Sequence, residues 1–203
     1  MVVSSMSNMY YGWYSINDYG ALLQEEKEHN AVKAMSYLRQ HRFTIYAAAG
    51  IVGNMWAESQ MSPGQWQNNV PYGNGYGLVQ WTPYTLYSNW AGANWENNGP
   101  LEMKRLQYEK DTNIEFWHNQ TIMPGWNWTN FSEITPGPNE TDYDAVNLAT
   151  EVFCYRYLAP GNPAGTMANR QLHARYVFDN CKGSAIPVWL LFKMSKLNRR
   201  DYK

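Results

Sequence analysis

One apolar stretch decides the fold: residues 44–59 have the sequence TIYAAAGIVGNMWAES. Its apolar side chains point in nearly every helical direction, as expected for a buried central helix. The sequence predicts this helix over residues 44–58, with Thr44 as its N-cap. Gly50 and Gly53 each cost about 1 kcal/mol relative to alanine inside a helix, so we expect another helix to pack closely against them.

The predicted helix ends with Glu58, which is the only formally charged residue from Thr44 to Trp95. Apolar surroundings raise the pKa of a carboxyl group because desolvation disfavours its charged form. Cleavage of a glycosidic bond needs an acid that still holds its proton near neutral pH. Glu58 is therefore a candidate general acid. The alternative is an ordinary glutamate exposed at the end of a helix.

The segment after this helix contains groups suited to binding a sugar. Residues 64–77 are rich in Gly, Asn and Pro, which predicts a loop or a short hairpin. Gly77 permits close approach of the backbone, and Gln80 supplies a neutral donor and acceptor. Tyr76, Trp81 and Trp66 offer flat aromatic faces, although each is equally compatible with a place in the core.

The remaining chain is predicted to be mainly helical with long loops. Hydrophobic periodicity and terminal residues predict further helices over residues 25–41, from near 82 to 90, 102–117, 144–158 and 166–178. The stretch from about 112 to 141 is expected to be exposed and rich in loops.

Composition excludes several classes of protein. The 203 residues are 44% hydrophobic and 16% aromatic, which is too apolar for a disordered chain. The net charge of −1 gives no basic field for nucleic acid, and no apolar run approaches the length of a membrane span. No metal or cofactor is expected, because the histidines and cysteines lack metal-ligand spacing. Cys154 and Cys181 are expected to be free thiols, with pairing left open.

Three ordered blocks resemble the phage tail lysozyme family, within the superfamily of goose-type lysozymes and lytic transglycosylases. The blocks are GIVGNMWAES (50–59), PGQWQ (63–67) and GYGLVQWT (75–82). The resemblance covers roughly residues 30–178 and is fainter at YLAPGNP (157–163) and in the next helix, which contains Arg170. The family usually has Tyr-Glu-Arg-Pro at the first of these fainter stretches, whereas Leu158 and Ala159 replace the charged pair here.

The resemblance implies a mainly α, lysozyme-like fold and a muramidase that acts on peptidoglycan glycan strands. Glu58 would protonate the glycosidic oxygen between N-acetylmuramic acid and N-acetylglucosamine, and Ser59 would orient Glu58. Six residues would form the substrate-binding site near the scissile bond: Ser59, Tyr76, Gly77, Leu78, Gln80 and Trp81.

The step after protonation is left open. An inverting hydrolase needs a second carboxylate about 6.5–9.5 Å away to activate water. The candidates are Asp142, Asp144, Glu96 and Glu102, of which Asp142 and Asp144 are better explained as residues that start a helix. Without a second acid, the substrate's own groups would give an anhydro sugar, as in lytic transglycosylases.

We expect three regions along the chain: an aromatic N-terminal arm (1–25), a lysozyme-like catalytic domain (26–178) and a basic and apolar tail (179–203). The arm and the tail would attach the enzyme to tail proteins of the virion, although packing of the tail on the domain is the simpler alternative. The first eight residues do not resemble a signal peptide, so synthesis is expected in the host cytoplasm. Two other functions remain open: a structural or wall-binding tail protein, and an endolysin.

Overall fold

The computed structural model of the protein describes residues 7–16, 21–116 and 118–181. Strands β1 (Ser7–Tyr10) and β2 (Trp13–Ile16) form an antiparallel hairpin. The helices are α1 (Gln24–Gln40), α2 (Ile45–Ser59), α3 (Thr85–Ala91), α4 (Gly99–Asp111), α5 (Trp128–Ser132), α6 (Asp142–Phe153) and α7 (Pro163–Cys181). A π-helical turn, Cys154–Leu158, extends α6, and a 3-10 turn covers Gln67–Asn69. The predicted mainly α class with long loops is confirmed.

Helix α2 is the centre of the core. Every residue from Ala47 to Trp56 is buried, and the helix packs chiefly against α6 and α7. Thr44 caps it, since the Thr44 hydroxyl oxygen accepts a hydrogen bond from the Ala47 amide at 3.2 Å. This cap fixes the start of the helix as the sequence predicts, and Gln60 ends it in a left-handed conformation.

The two glycines of α2 permit the close helix contacts that the sequence predicts. A Cβ atom at Gly50 would lie 2.7 Å from the backbone of Ala149 in α6. A Cβ atom at Gly53 would lie 2.5 Å from the Cβ of Ala174 in α7. Because real Cβ atoms do not approach so closely, these glycines bring α6 and α7 against α2.

The predicted boundaries are wrong in the later helices. Helix α4 spans 99–111 rather than 102–117, since Asn113 adopts a left-handed φ of 54° that stops the helix. Helix α3 begins at Thr85 instead of near Thr82, and α7 extends beyond both predicted ends. Trp117, which was assigned to the helix over 102–117, lies outside the described residues.

The stretch over residues 112–141 is mostly exposed and rich in loops, as predicted, but aromatic side chains anchor it to the core. Helix α5 places Trp128 and Phe131 in the core, three residues apart on one face. Phe116 packs against both, with ring centroids at 4.6 and 5.3 Å. A five-residue helix is too short to show a periodic pattern, so the sequence gives it no clear signal.

The N-terminal hairpin packs on the helical body. The Asn30 amide on α1 accepts from the Tyr14 backbone amide and donates to the Tyr14 carbonyl, at 3.0 and 2.7 Å. Trp13 is buried against Gly99 at the start of α4. The predicted tail, by contrast, lies outside the described residues from 182 onward. The boundaries at 25 and 178 remain predictions.

Candidate active site

Glu58 lies in the last turn of α2, where it forms an ion pair with Arg170 of α7. The Arg170 Nη2 donates to Glu58 Oε1 at 2.6 Å. The Arg170 side chain is 4% exposed, whereas Glu58 keeps 18% of its side chain exposed. The sequence around Glu58 is uncharged, but the expectation that Glu58 has uncharged surroundings in the folded protein is wrong, because Arg170 contacts it. The structure gives Glu58 a fixed cationic partner and a path to solvent.

Arg170 is itself held by a buried amide. Its Nη1 donates to Asn54 Oδ1 at 3.0 Å, and its Nε donates to Thr166 Oγ1 at 3.0 Å. The Asn54 amide then donates to the carbonyls of Gly50 and Thr150, at 2.9 and 3.0 Å. A guanidinium whose donors are arranged in a fixed fork positions its partners well. The arrangement therefore determines where the Glu58 carboxylate lies.

A buried thiol, Cys154, interacts electrostatically with this ion pair. Cys154 is buried in the π-helical turn after α6, and burial raises the pKa of its thiol to about 11. The Arg170 charge opposes this shift and the Glu58 charge adds to it. The thiol therefore stays neutral at physiological pH. Cys154 and Cys181 are both free, as the sequence predicts.

The structure does not bring the Ser59 hydroxyl to Glu58. Ser59 is buried, and its Oγ donates to the Met55 carbonyl one turn earlier in α2, at 2.9 Å. The contact that orients Glu58 comes from Arg170. The Ser59 hydroxyl is bonded within its own helix in this structure, and its role at the site remains a prediction.

Gly77 and Gln80 shape the backbone of the segment over residues 75–82. Gly77 has a φ of +83°, which favours glycine. The Gln80 Nε2 donates to the carbonyls of Gln65 and Gly77, at 3.0 and 2.9 Å. Within the described residues, no donor reaches the Gln80 side-chain oxygen. That oxygen is the polar atom of Gln80 that remains for a ligand.

Tyr76, Leu78 and Trp81 belong to the interior rather than to an open sugar-binding wall. All three side chains are buried. The Tyr76 hydroxyl oxygen accepts from the Asn97 backbone amide at 2.6 Å, and the Trp81 indole donates to Glu109 Oε1 at 3.0 Å. These side chains support the segment from beneath, so their predicted direct contact with sugar remains a prediction.

Glu102, one candidate for the second acid, lies under the same segment. Its Oε2 accepts from the Leu78 backbone amide at 2.6 Å, and its Oε1 is buried without a hydrogen-bond partner. Burial raises the pKa of this carboxyl well above its ordinary value, although the bond from Leu78 opposes the shift. A Cβ atom at Gly77 would lie 2.7 Å from Glu102 Oε2. Glu102 is therefore a buried support for the segment, and its surroundings disfavour the charged form of the carboxyl group.

A second buried carboxyl, Glu109, connects this segment to the fainter matching stretch. Glu109 accepts from Trp81, from Arg105 at 2.6 Å and from the Tyr157 hydroxyl at 2.5 Å. Burial raises the pKa of Glu109, while its bonds with Tyr157 and Arg105 oppose that rise. Tyr157 precedes Leu158 and Ala159, so the stretch that lacks the usual charged pair still packs on the candidate site.

The other candidate second acids have partners elsewhere. Asp144 bonds Thr141 at the start of α6, and these bonds lower the pKa of Asp144. Asp142 accepts from the Tyr46 hydroxyl at 2.8 Å, and Glu96 accepts from the Tyr72 hydroxyl at 3.2 Å. Both aspartates thus lie at a helix start, as expected. In the part of the chain that the structure describes, no second carboxylate contacts Glu58 or Arg170.

The link from Glu58 to Arg170 and Asn54 is the part of the site that sequence reasoning missed. Arg170 lies 112 residues after Glu58, so no local spacing connects them. The faint resemblance around Arg170 was the only signal. No group of three or more potential metal ligands occurs among residues 7–16, 21–116 and 118–181. Within the same ranges, no helix is long and apolar enough to cross a membrane.

The fold and the site define a lysozyme-like helical protein, and the chain belongs to the phage tail lysozyme family, which it matches over residues 29–181. It is also similar to morphogenesis protein 1 of Bacillus phage B103, at 35% identity over 176 residues. The match covers 84% of this chain and 44% of that relative, so the chain spans less than half the length of the relative.

Proposed function

We propose that this protein is a muramidase that cleaves the bond between N-acetylmuramic acid and N-acetylglucosamine in peptidoglycan. The single observation that carries the proposal is the Glu58 carboxylate, which is held by Arg170 and partly open to solvent at the end of α2. Membership of the phage tail lysozyme family supports the same reaction class.

In this mechanism Glu58 is the general acid. Glu58 takes up a proton from solvent at its exposed edge. The carboxyl group then transfers that proton to the glycosidic oxygen as the bond breaks, while Arg170 and Asn54 maintain its orientation. The Gln80 oxygen and the backbone beside Gly77 hold the sugar. Positioning of a reacting group in this way contributes to rate because less orientational freedom is lost in the transition state.

The fate of the sugar cation distinguishes a hydrolase from a lytic transglycosylase. A hydrolase adds water, whereas a transglycosylase closes an anhydro ring with the muramic acid's own hydroxyl group. The proposal includes both outcomes and assigns the protonation step to Glu58 in each.

The first test compares lysis of purified cell walls by the wild type, Glu58→Gln and Glu133→Gln. Glu133 is exposed at the end of α5, so its variant controls for the loss of one carboxylate elsewhere. Loss of a general acid lowers the rate by about 10²–10⁴-fold. We expect this loss in Glu58→Gln alone. Equal loss in both variants, or in neither, would contradict the role of Glu58.

We also propose that the protein acts as a component of the phage particle, in its tail, after synthesis in the host cytoplasm. The name of the B103 relative, a morphogenesis protein, supports this location. It also favours a second candidate function: a structural or wall-binding tail protein on a lysozyme scaffold. Immunoblotting of purified virions tests the location, since a lysis-stage endolysin would be absent from them. Tail proteins would contact the terminal segments.

A further inference from the structure

A cavity of about 710 Å³ opens between the N-terminal hairpin and the loops that precede α3 and α4. Glu58 does not line it. Tyr11 of the hairpin, Trp66, Tyr72 and Trp95 contribute aromatic rings, and Asn94 and Glu96 contribute polar groups. Tyr11 precedes the region that matches the family, so part of this cavity is built from residues outside that match.

Two aromatic side chains at this cavity are exposed. Tyr72 is 64% exposed and Tyr11 is 57% exposed. Trp66 lies between Tyr72 and Trp95, with ring centroids at 5.2 and 5.8 Å. Both tyrosines also have left-handed φ values, 55° for Tyr72 and 51° for Tyr11. Such a conformation is uncommon for a bulky residue, and at Tyr11 it belongs to the turn of the hairpin.

The polar groups of the cavity are mostly amides. The Asn94 side chain has no hydrogen-bond partner among the described residues, and the Asn69 Nδ2 is free while its Oδ1 accepts from Gln65 at 2.8 Å. An amide both donates and accepts, which matches the hydroxyl and acetamido groups of a sugar. Flat aromatic faces match the apolar faces of a pyranose ring.

The charged groups that line the cavity restrict the class of ligand further. Among the described residues that line it there is no lysine or arginine, and Glu96 is the one carboxylate. Glu96 accepts from the Tyr72 hydroxyl at 3.2 Å, which joins the two sides of the opening. An anionic ligand is disfavoured here, whereas a neutral ligand with many hydroxyl groups is favoured.

We propose that this cavity binds N-acetylhexosamine units of a glycan strand, as a second sugar site beside the one at Glu58. The inference rests on the proposed function, which identifies peptidoglycan as the source of the glycan strand.

Two features connect the cavity to the candidate active site. Tyr76 lines the cavity and belongs to the segment over residues 75–82, and Gln65 lines it while its carbonyl accepts from the Gln80 amide. The lining of the cavity is therefore connected to the segment over residues 75–82, which binds the sugar in the proposed mechanism.

The test uses binding rather than cleavage. A tetrasaccharide of N-acetylglucosamine is titrated into Glu58→Gln protein while backbone amide signals are followed by NMR. We expect the amides of residues 94–97 to shift on binding. Tyr72→Ala or Asn94→Ala, each added to Glu58→Gln, should weaken the affinity read from these amides roughly five- to tenfold. Tyr143→Ala is the matched control, because Tyr143 is an exposed tyrosine on α6 outside the cavity.

Three results would overturn the proposal. The first is shifts confined to residues 77–80, which would leave the proposed function intact. The second is equal affinity in the Tyr72→Ala, Asn94→Ala and Tyr143→Ala proteins. The third result compares two titrations. The amides of residues 94–97 would shift when a peptidoglycan stem peptide without sugar is added, and would not shift when the tetrasaccharide is added. Failure of the proposed function itself would appear separately, as cell-wall cleavage retained by Glu58→Gln.

Discussion

Arg170 and Glu58 form a 2.6 Å ion pair between α7 and the end of α2, although 112 residues separate them in the chain. The same guanidinium bonds Asn54, which is itself bonded to α6 through the Thr150 carbonyl. The candidate acid is therefore fixed by three helices together. Its position depends on the packing of the whole core.

Arg170→Met should lower both stability and activity. Removal of one partner from a buried ion pair costs about 3–5 kcal/mol. We expect about 2–3 kcal/mol here, because Glu58 keeps 18% exposure. If Arg170 positions Glu58, kcat should fall about a hundredfold while KM changes little. Chemical unfolding and steady-state kinetics measure the two effects.

Two further variants sharpen this prediction. Arg170→Lys keeps the charge but cannot bond Glu58 and Asn54 through one fixed fork, so it should restore stability more than kcat. If Arg170 contributes only structure, the lysine variant should regain activity and stability in parallel. That result would contradict a positioning role.

Asn54→Ala and Ser59→Ala should have unequal effects, although both residues are buried polar groups of α2. Asn54 bonds two carbonyls and the Arg170 guanidinium, whereas Ser59 bonds its own helix. Loss of the Asn54 amide leaves buried partners unsatisfied, which costs about 1–3 kcal/mol for each group. We expect a large loss of lytic rate in Asn54→Ala and near-normal activity in Ser59→Ala. If the Ser59→Ala protein folds but is inactive, Ser59 takes part in the reaction and a purely structural role is contradicted.

Gly77→Ala should destabilise the protein more than Gly125→Ala does. Both glycines have a positive φ, 83° and 78°, so both variants carry the backbone strain. A Cβ atom at Gly125 meets nothing within 4 Å, whereas one at Gly77 meets the Glu102 carboxyl at 2.7 Å. The strain alone costs about 1 kcal/mol, and we expect the clash to add roughly 1–3 kcal/mol, the range for overpacking. Equal unfolding free energies would show that the segment can move away from Glu102.

Glu102 should make stability depend on pH. Burial raises the pKa of Glu102 in the folded state above its ordinary value of 4.5. The native state then binds this proton more tightly than the unfolded state does. This tighter proton binding stabilises the folded protein. The stabilisation is fully present at pH values below the pKa of Glu102 in the unfolded state, and it is lost as pH rises through the pKa of Glu102 in the folded state.

Glu102→Gln removes this titration and keeps an oxygen that can accept from Leu78. The unfolding free energy of the wild type should therefore decline, relative to that of Glu102→Gln, as pH rises from about 4.5 toward neutrality. Urea unfolding at a series of pH values measures the difference. Parallel curves for the two proteins would mean that Glu102 has the same pKa in both states.

The central helix and the acid at its end could be predicted because their signals are local. The apolar run, the Thr44 cap and the helix-contacting glycines all lie within residues 44–58. The hairpin gave a weaker signal. Its two-residue turn, Tyr11-Gly12, has a positive φ at both positions, where Asn-Gly would be usual.

The rest of the site depends on contacts between distant parts of the chain. Arg170 reaches Glu58 only because α7 packs on α2 at Gly53. Glu102 and Glu109 lie on a helix whose charges suggest an exposed face, yet both are buried beneath the segment over residues 75–82. No periodic pattern predicts such pairings. Tyr76 and Trp81 were open to either interpretation, since an aromatic ring suits a core and a sugar equally well.

The most direct test of the account is mass spectrometry of the fragments released from purified peptidoglycan by the wild type and by Glu58→Gln. The account predicts new ends at N-acetylmuramic acid, reducing for a hydrolase or anhydro for a transglycosylase, and their loss in the variant. Release of the same fragments by folded Glu58→Gln protein, or release of peptide fragments without glycan cleavage, would contradict it.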